Sequence, residues 1–101
     1  MRKLFAMGLL ALAITVPATA ETTKGGYPAC LTKDLFDQIT SALVKKDERA
    51  FEYLMKNGCL ILKAGIQISV LDRTWTGTAK IRAYVGDDAV VLWTNVENIA
   101  R

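Results

Sequence analysis

Residues 30–59 read CLTKDLFDQITSALVKKDERAFEYLMKNGC, a helical pattern closed at each end by one of the chain's two cysteines. Leu35, Phe36, Ile39, Ala42 and Leu43 recur at spacings of three and four, the stripe of an amphipathic helix. Thr32 is suited to cap its start, Asp34 falls in the first turn, and Lys45-Lys46 suit the negative end of the helix dipole. Asp47 is suited to cap a second helix whose buried stripe is Ala50, Phe51, Leu54 and Met55, with Asn57-Gly58 as its stop. Periodicity alone does not separate two short helices from one long one, because Ile39, Leu43, Ala50 and Leu54 would also share a face in a continuous helix. The cysteines arbitrate. An unbroken helix over 32–57 would be about 39 Å long, whereas bridged cysteines hold their Cα atoms within about 7 Å. If Cys30 and Cys59 are joined, the chain doubles back near Lys46-Asp47 into a hairpin; free or intermolecular thiols would leave the long helix open.

Working outward to the N-terminus, Met1–Ala20 has the features of a secretory signal peptide. Arg2 and Lys3 supply positive charge, Leu4 to Val16 is a short apolar run, and Pro17 breaks it. Ala18-Thr19-Ala20 then gives the small-x-small pattern cut after Ala20. The run is shorter than the roughly 20 residues needed to cross a bilayer, so the expected product is free of the membrane, in the periplasm or fully secreted. There the two cysteines meet oxidising conditions. Two of the chain's 13 basic residues belong to this leader, which leaves the rest nearly balanced against 10 acidic ones. That balance gives no reason to expect a nucleic-acid partner. Glu21 to Ala29, with Gly25, Gly26 and Pro28 and no periodicity, reads as a flexible leader to a single domain over residues 30–101.

After Cys59 the period changes to two. Leu60-Ile61-Leu62 is a short apolar run and Lys63-Ala64-Gly65 a turn. Ile66, Ile68 and Val70 alternate with Gln67 and Ser69, and Asp72 to Gly77 (DRTWTG) reads as a loop. Ala79, Ile81 and Ala83 alternate with Lys80, Arg82 and Tyr84, Gly86-Asp87-Asp88 turns the chain, and Ala89 to Thr94 is a third strand. Asn95 to Ala100 is either one helical turn or a short closing strand.

This half resembles the bacterial SH3-like domains of exported envelope proteins over about residues 60–100. The likeness is carried by Gly65-Ile66 leading into Ile68-x-Val70-Leu71, by Lys80-Ile81-Arg82, and by Trp93-Thr94. The glycine that usually precedes the tryptophan is replaced by Val91-Leu92, and the loop after the first long strand is short for one that grips a ligand. The fold class expected is α+β: an N-terminal helical hairpin (30–59) packed on a small antiparallel SH3-like β-barrel (60–101). Trp93 is expected in the barrel core, and Phe36, Leu43, Phe51 and Leu54 in the core of the hairpin.

The chain has no histidine, which removes the usual general base of serine and cysteine hydrolases and the commonest zinc ligand. Ser41 and Ser69 sit in no nucleophile motif, the cysteines are too far apart for a redox C-x-x-C pair, and there is no phosphate-binding glycine loop. No catalytic residue, metal or cofactor is expected. The adjacent carboxylates Asp87-Asp88 and Asp47-Glu48 read as a turn and a helix start. Candidate ligand-binding residues are Arg73 and Trp75 in the loop and Lys80, Arg82 and Tyr84 on the outward side of one strand. Trp75 is suited either to anchor a partner or to fold over an open barrel end. The expectation is a non-catalytic exported binding or adaptor module for an envelope protein, peptide or wall glycan. The alternative is an inhibitor or immunity-type protein of a secreted hydrolase such as a lysozyme, with DRTWTG as its plug. A third class, an enzyme working through carboxylates alone, would rest on Asp87 and Asp88.

Overall fold

The computed structural model describes residues 21–100, so the signal-peptide segment expected over residues 1–20 lies outside the described residues. The chain runs β1 (Glu21–Thr23), β2 (Pro28–Cys30), α1 (Lys33–Lys45), α2 (Glu48–Lys56), β3 (Cys59–Ile61), β4 (Gln67–Arg73), β5 (Thr78–Val85), β6 (Asp88–Asn95), a 3-10 turn (Val96–Asn98) and β7 (Ile99–Ala100). The strands form one antiparallel sheet in the order β3-β2-β6-β5-β4-β1-β7, with β3 and β7 at its edges.

The hairpin forms as its caps dictate. The Leu35 N–H donates to Thr32 Oγ1 at 3.1 Å and the Ala50 N–H to Asp47 Oδ1 at 3.1 Å, satisfying donors that each first turn leaves open. Lys46 takes the left-handed conformation (φ 57°) between the helices, and the Asp47 N–H closes back on the Ala42 carbonyl at 2.8 Å. Cys30 and Cys59 are bonded and lie directly opposite one another in the β2–β3 ladder. The hairpin therefore begins and ends on adjacent strands.

Two features of the expected fold are corrected. The hairpin is not N-terminal, and the β half is an open seven-stranded sheet rather than a small SH3-like barrel of residues 60–101. Both corrections have one cause: residues 21–29, read as a flexible leader, supply two strands. β1 inserts between β4 and β7, and β2 between β3 and β6. Gly25 and Gly26, at φ 88° and 84°, make the turn between them. Gly25 passes so close to the β3–β4 connection that an added Cβ would lie 2.6 Å from the Ala64 nitrogen. Thr23 ties β1 to that connection, donating to the Lys63 carbonyl at 2.6 Å and accepting the Ile66 N–H at 3.0 Å.

Paired residues of neighbouring strands share a face, so the sheet has two distinct sides. One is the inner side, where Ala29, Ile68, Ala79, Ile81, Ala83 and Leu92 pack into one core with Leu62 and Ile99. Leu62 follows one edge strand and Ile99 lies in the other; a flat sheet of seven strands would hold them about 29 Å apart. The sheet bends to bring them together. The other side carries the helices. Phe36, Ile39 and Leu54 pack on Cys30 and Cys59 in a second core, with Leu35, Phe51, Met55 and Trp93 at its margin. Leu43, expected in the core, is 48% exposed; it borders a groove of about 320 Å³ at the helix–helix turn with Ala42, Lys46, Asp47, Glu48 and Phe51.

Asn98 joins the two ends of the described chain. It is fully buried; its Oδ1 accepts the Gly25 N–H at 2.9 Å and its Nδ2 donates to Thr94 Oγ1 at 3.2 Å. Thr94 in turn donates to the Pro28 carbonyl at 2.7 Å. Asn98→Ala strands buried partners in this chain, and we expect it to lower stability by about 2–3 kcal/mol. Urea unfolding followed by circular dichroism measures this; a loss below about 0.5 kcal/mol would show that the network does not hold β1 and β2 in place.

Candidate functional site

The disulfide begins a lateral row across the helix side of the sheet. In ladder register Cys59 faces Cys30, Cys30 faces Trp93, Trp93 faces Lys80, and Lys80 faces Asp72. The helices cover the sulfur end of this row; Trp93 is half-buried at their margin. Beyond it the sheet surface is open. The next row holds Val91, Arg82 and Ser69, and the one after it Ala89 and Tyr84. Lys80, Arg82 and Tyr84 thus share one face because they alternate with Ala79, Ile81 and Ala83, which are fully buried on the other.

The groups in this strip hold one another. The Lys80 ammonium lies 5.7 Å from the centroid of the Trp93 ring, a cation–π approach. Ser69 Oγ and the Tyr84 hydroxyl are 2.8 Å apart. That hydrogen bond, together with the Arg82 guanidinium beside it, holds the Tyr84 phenol below its ordinary pKa. The strip therefore offers an ammonium, a guanidinium, two hydroxyls and two aromatic surfaces on a strand scaffold.

The structure divides the sequence-predicted residues. It brings Lys80, Arg82 and Tyr84 together as expected. Arg73 goes elsewhere. A bulge between Val70 and Asp72 shifts the β4–β5 register, so Asp72 takes the position opposite Lys80 and Arg73 falls opposite the buried Ala79. Arg73 is thereby turned to the other side of the sheet, where it pairs with Glu21 on β1 at 3.3 Å. Trp75 stands at the tip of the β4–β5 turn, 96% exposed, which decides against its folding over an end of the sheet. Its turn is well braced: the Thr74 N–H donates to the Thr78 carbonyl at 2.8 Å, the Thr78 N–H to Thr74 Oγ1 at 3.1 Å, and Thr74 and Thr76 hydroxyls meet at 2.8 Å.

Trp93 and Ser69 also belong to the strip, beyond the candidates that the sequence pattern singles out. Trp93 was expected in a barrel core; it instead closes the helical core with one part and meets Lys80 with another. Ser69 lies on the outward phase of the Ile68–Val70 alternation, and that phase was its only signal. Asp47 serves as the α2 cap, and Asp87 and Asp88 lie at the β5–β6 turn. Among the described residues no three His, Cys, Asp or Glu side chains gather as metal ligands, and no helix is long and apolar enough to cross a membrane. No protein-family model, curated protein or solved structure matches this chain.

The lowered Tyr84 pKa has a definite sign. Stabilisation from its ionised form is present above the ordinary phenol value near 10 and is lost as pH falls through the lowered value. Ser69→Ala and Arg82→Ala should each move the Tyr84 titration upward toward the ordinary value, read from its ring carbon shift by NMR. An unmoved titration in both variants would mean that neither group faces the phenol in solution.

Proposed function

We propose that this chain is an exported, non-catalytic binding module that engages an envelope protein, peptide or wall glycan through the open part of the helix-side sheet face. The observation that carries this reading is the strip itself: Lys80, Arg82 and Tyr84 line up on β5 beside Trp93, outside the cover of the helices. An exposed guanidinium (Arg82) and a half-buried ammonium (Lys80) backed by aromatic surface suit recognition of a partner. Export is supported by the leader pattern of residues 1–20, and the Cys30–Cys59 bond is compatible with an oxidising compartment.

A second reading has its own observation. Trp75, almost fully exposed on a turn stiffened by Thr74, Thr76 and Thr78, suits insertion into a concave site, as an inhibitor of a secreted hydrolase would require. A rigid turn loses little entropy on docking, and tryptophan is the residue type most enriched at binding hot spots.

One pulldown from envelope extract separates the two. Wild type, Arg82→Ala, Trp75→Ala and a remote control, Lys33→Ala, are compared as immobilised baits. The strip reading expects captured species to be lost with Arg82→Ala and kept with Trp75→Ala and Lys33→Ala. Loss with Trp75→Ala alone would favour the inhibitor reading, and retention by all three would remove both surfaces.

A further inference from the structure

We infer that the Lys80–Arg82 strip binds an extended acidic polypeptide segment whose carboxylates occupy alternate positions. This rests on the reading of the strip as the contact surface and names its ligand. The argument begins with unmatched charge. Among the described residues the ion pairs are Lys33–Asp37 and Arg73–Glu21; neither Lys80 nor Arg82 has a carboxylate within ion-pair distance. The carboxylate nearest to Lys80 in register is that of Asp72, and it is turned back on its own chain, accepting the Arg73 N–H at 2.9 Å. The other acidic groups of this hairpin, Asp87 and Asp88, lie beyond Tyr84 at the Gly86 turn. The helix residues packed in the core that borders Trp93 are Leu35, Phe36, Ile39, Phe51, Leu54 and Met55. The cations of the strip are Lys80 and Arg82; Asp72 lies opposite Lys80, and Asp87 and Asp88 lie beyond Tyr84.

Spacing then selects the ligand. Lys80 and Arg82 are two residues apart on one strand, which separates their Cα atoms by about 6.8 Å. An extended peptide repeats its same-side side chains at this interval, so an acid-x-acid segment laid along β5 presents one carboxylate to each cation. Adjacent acids in an extended chain point to opposite sides, and only one of them can reach. Lys80 is also partly ordered beforehand by the Trp93 ring, which reduces the entropy lost on binding. A guanidinium accepts a carboxylate through two parallel hydrogen bonds.

The test uses fluorescein-labelled peptides of equal composition, the alternating Glu-Ser-Glu-Ser-Glu-Ser and a blocked Glu-Glu-Ser-Ser-Glu-Ser in which no two acids are two residues apart, with polygalacturonate as an acidic glycan arm. Binding to the oxidised protein is followed by anisotropy, or by competition for the glycan, at low and at physiological salt. The alternating peptide should bind about threefold or more tightly than the blocked one, and Lys80→Ala or Arg82→Ala should each weaken it by a similar factor. Lys33→Ala should leave it unchanged, and physiological salt should weaken all binding. Equal affinity for the two peptides, no binding of either, or insensitivity to both substitutions overturns the inference. Tighter binding of polygalacturonate than of the alternating peptide also overturns it. If peptide binding fails while the extract pulldown still depends on Arg82, only the ligand assignment falls; a pulldown independent of Arg82 removes the contact surface itself.

Discussion

The Cys30–Cys59 bond is the constraint on which the remaining structure depends. It closes 29 positions of chain, which in the loop-entropy account stabilises by about 3–4 kcal/mol. Small domains hold total stabilities of about 5–15 kcal/mol, so the bond is a large share. Its position matters as much as its magnitude. The sulfurs join β2 to β3 at the point where both helices land, so one covalent link fixes the sheet edge and the root of the hairpin together.

The consequences run along the cross-strand row. Cys30 sets Trp93 beside the helical core, and Trp93 sets its ring under Lys80. The same helices that shield the sulfurs stop short of Arg82 and Tyr84. Candidate site and structural staple are thus neighbours on one face, separated by a single tryptophan that belongs to both. On the opposite face the strand residues bury themselves against Leu62 and Ile99 from the two sheet margins. Asn98 and Thr94 satisfy the polar backbone where β1 and β2 enter. Two modest cores share one sheet, and neither is large enough to dispense with the other.

Much of this was legible in the residues. The helical stripe, the Thr32 and Asp47 caps and the two-residue alternation around Ile68 and Ile81 all act locally, so a short window of sequence carries them. The outward phase of Lys80, Arg82 and Tyr84 follows from the same alternation. What was not legible is what depends on distant partners. β1 and β2 are three residues each, too short for a period, and they become strands only because β4, β6 and β7 offer ladder positions. Gly25 and Gly26 looked like signs of flexibility, yet they supply the positive φ that a tight connection needs. The bulge near Leu71 inverted the face of Arg73 without any glycine or proline to announce it. Trp75 could have gone either way from its neighbours alone, since exposure is decided by whether anything else reaches it.

Hydrogen–deuterium exchange of the oxidised and the reduced chain tests most directly whether the sulfur link anchors the helical layer. On reduction, amides of α1 and α2 should lose protection first, while those of Ile81 and Leu92 in the central ladder remain the slowest to exchange. Helical amides that keep their full protection after reduction would contradict the account.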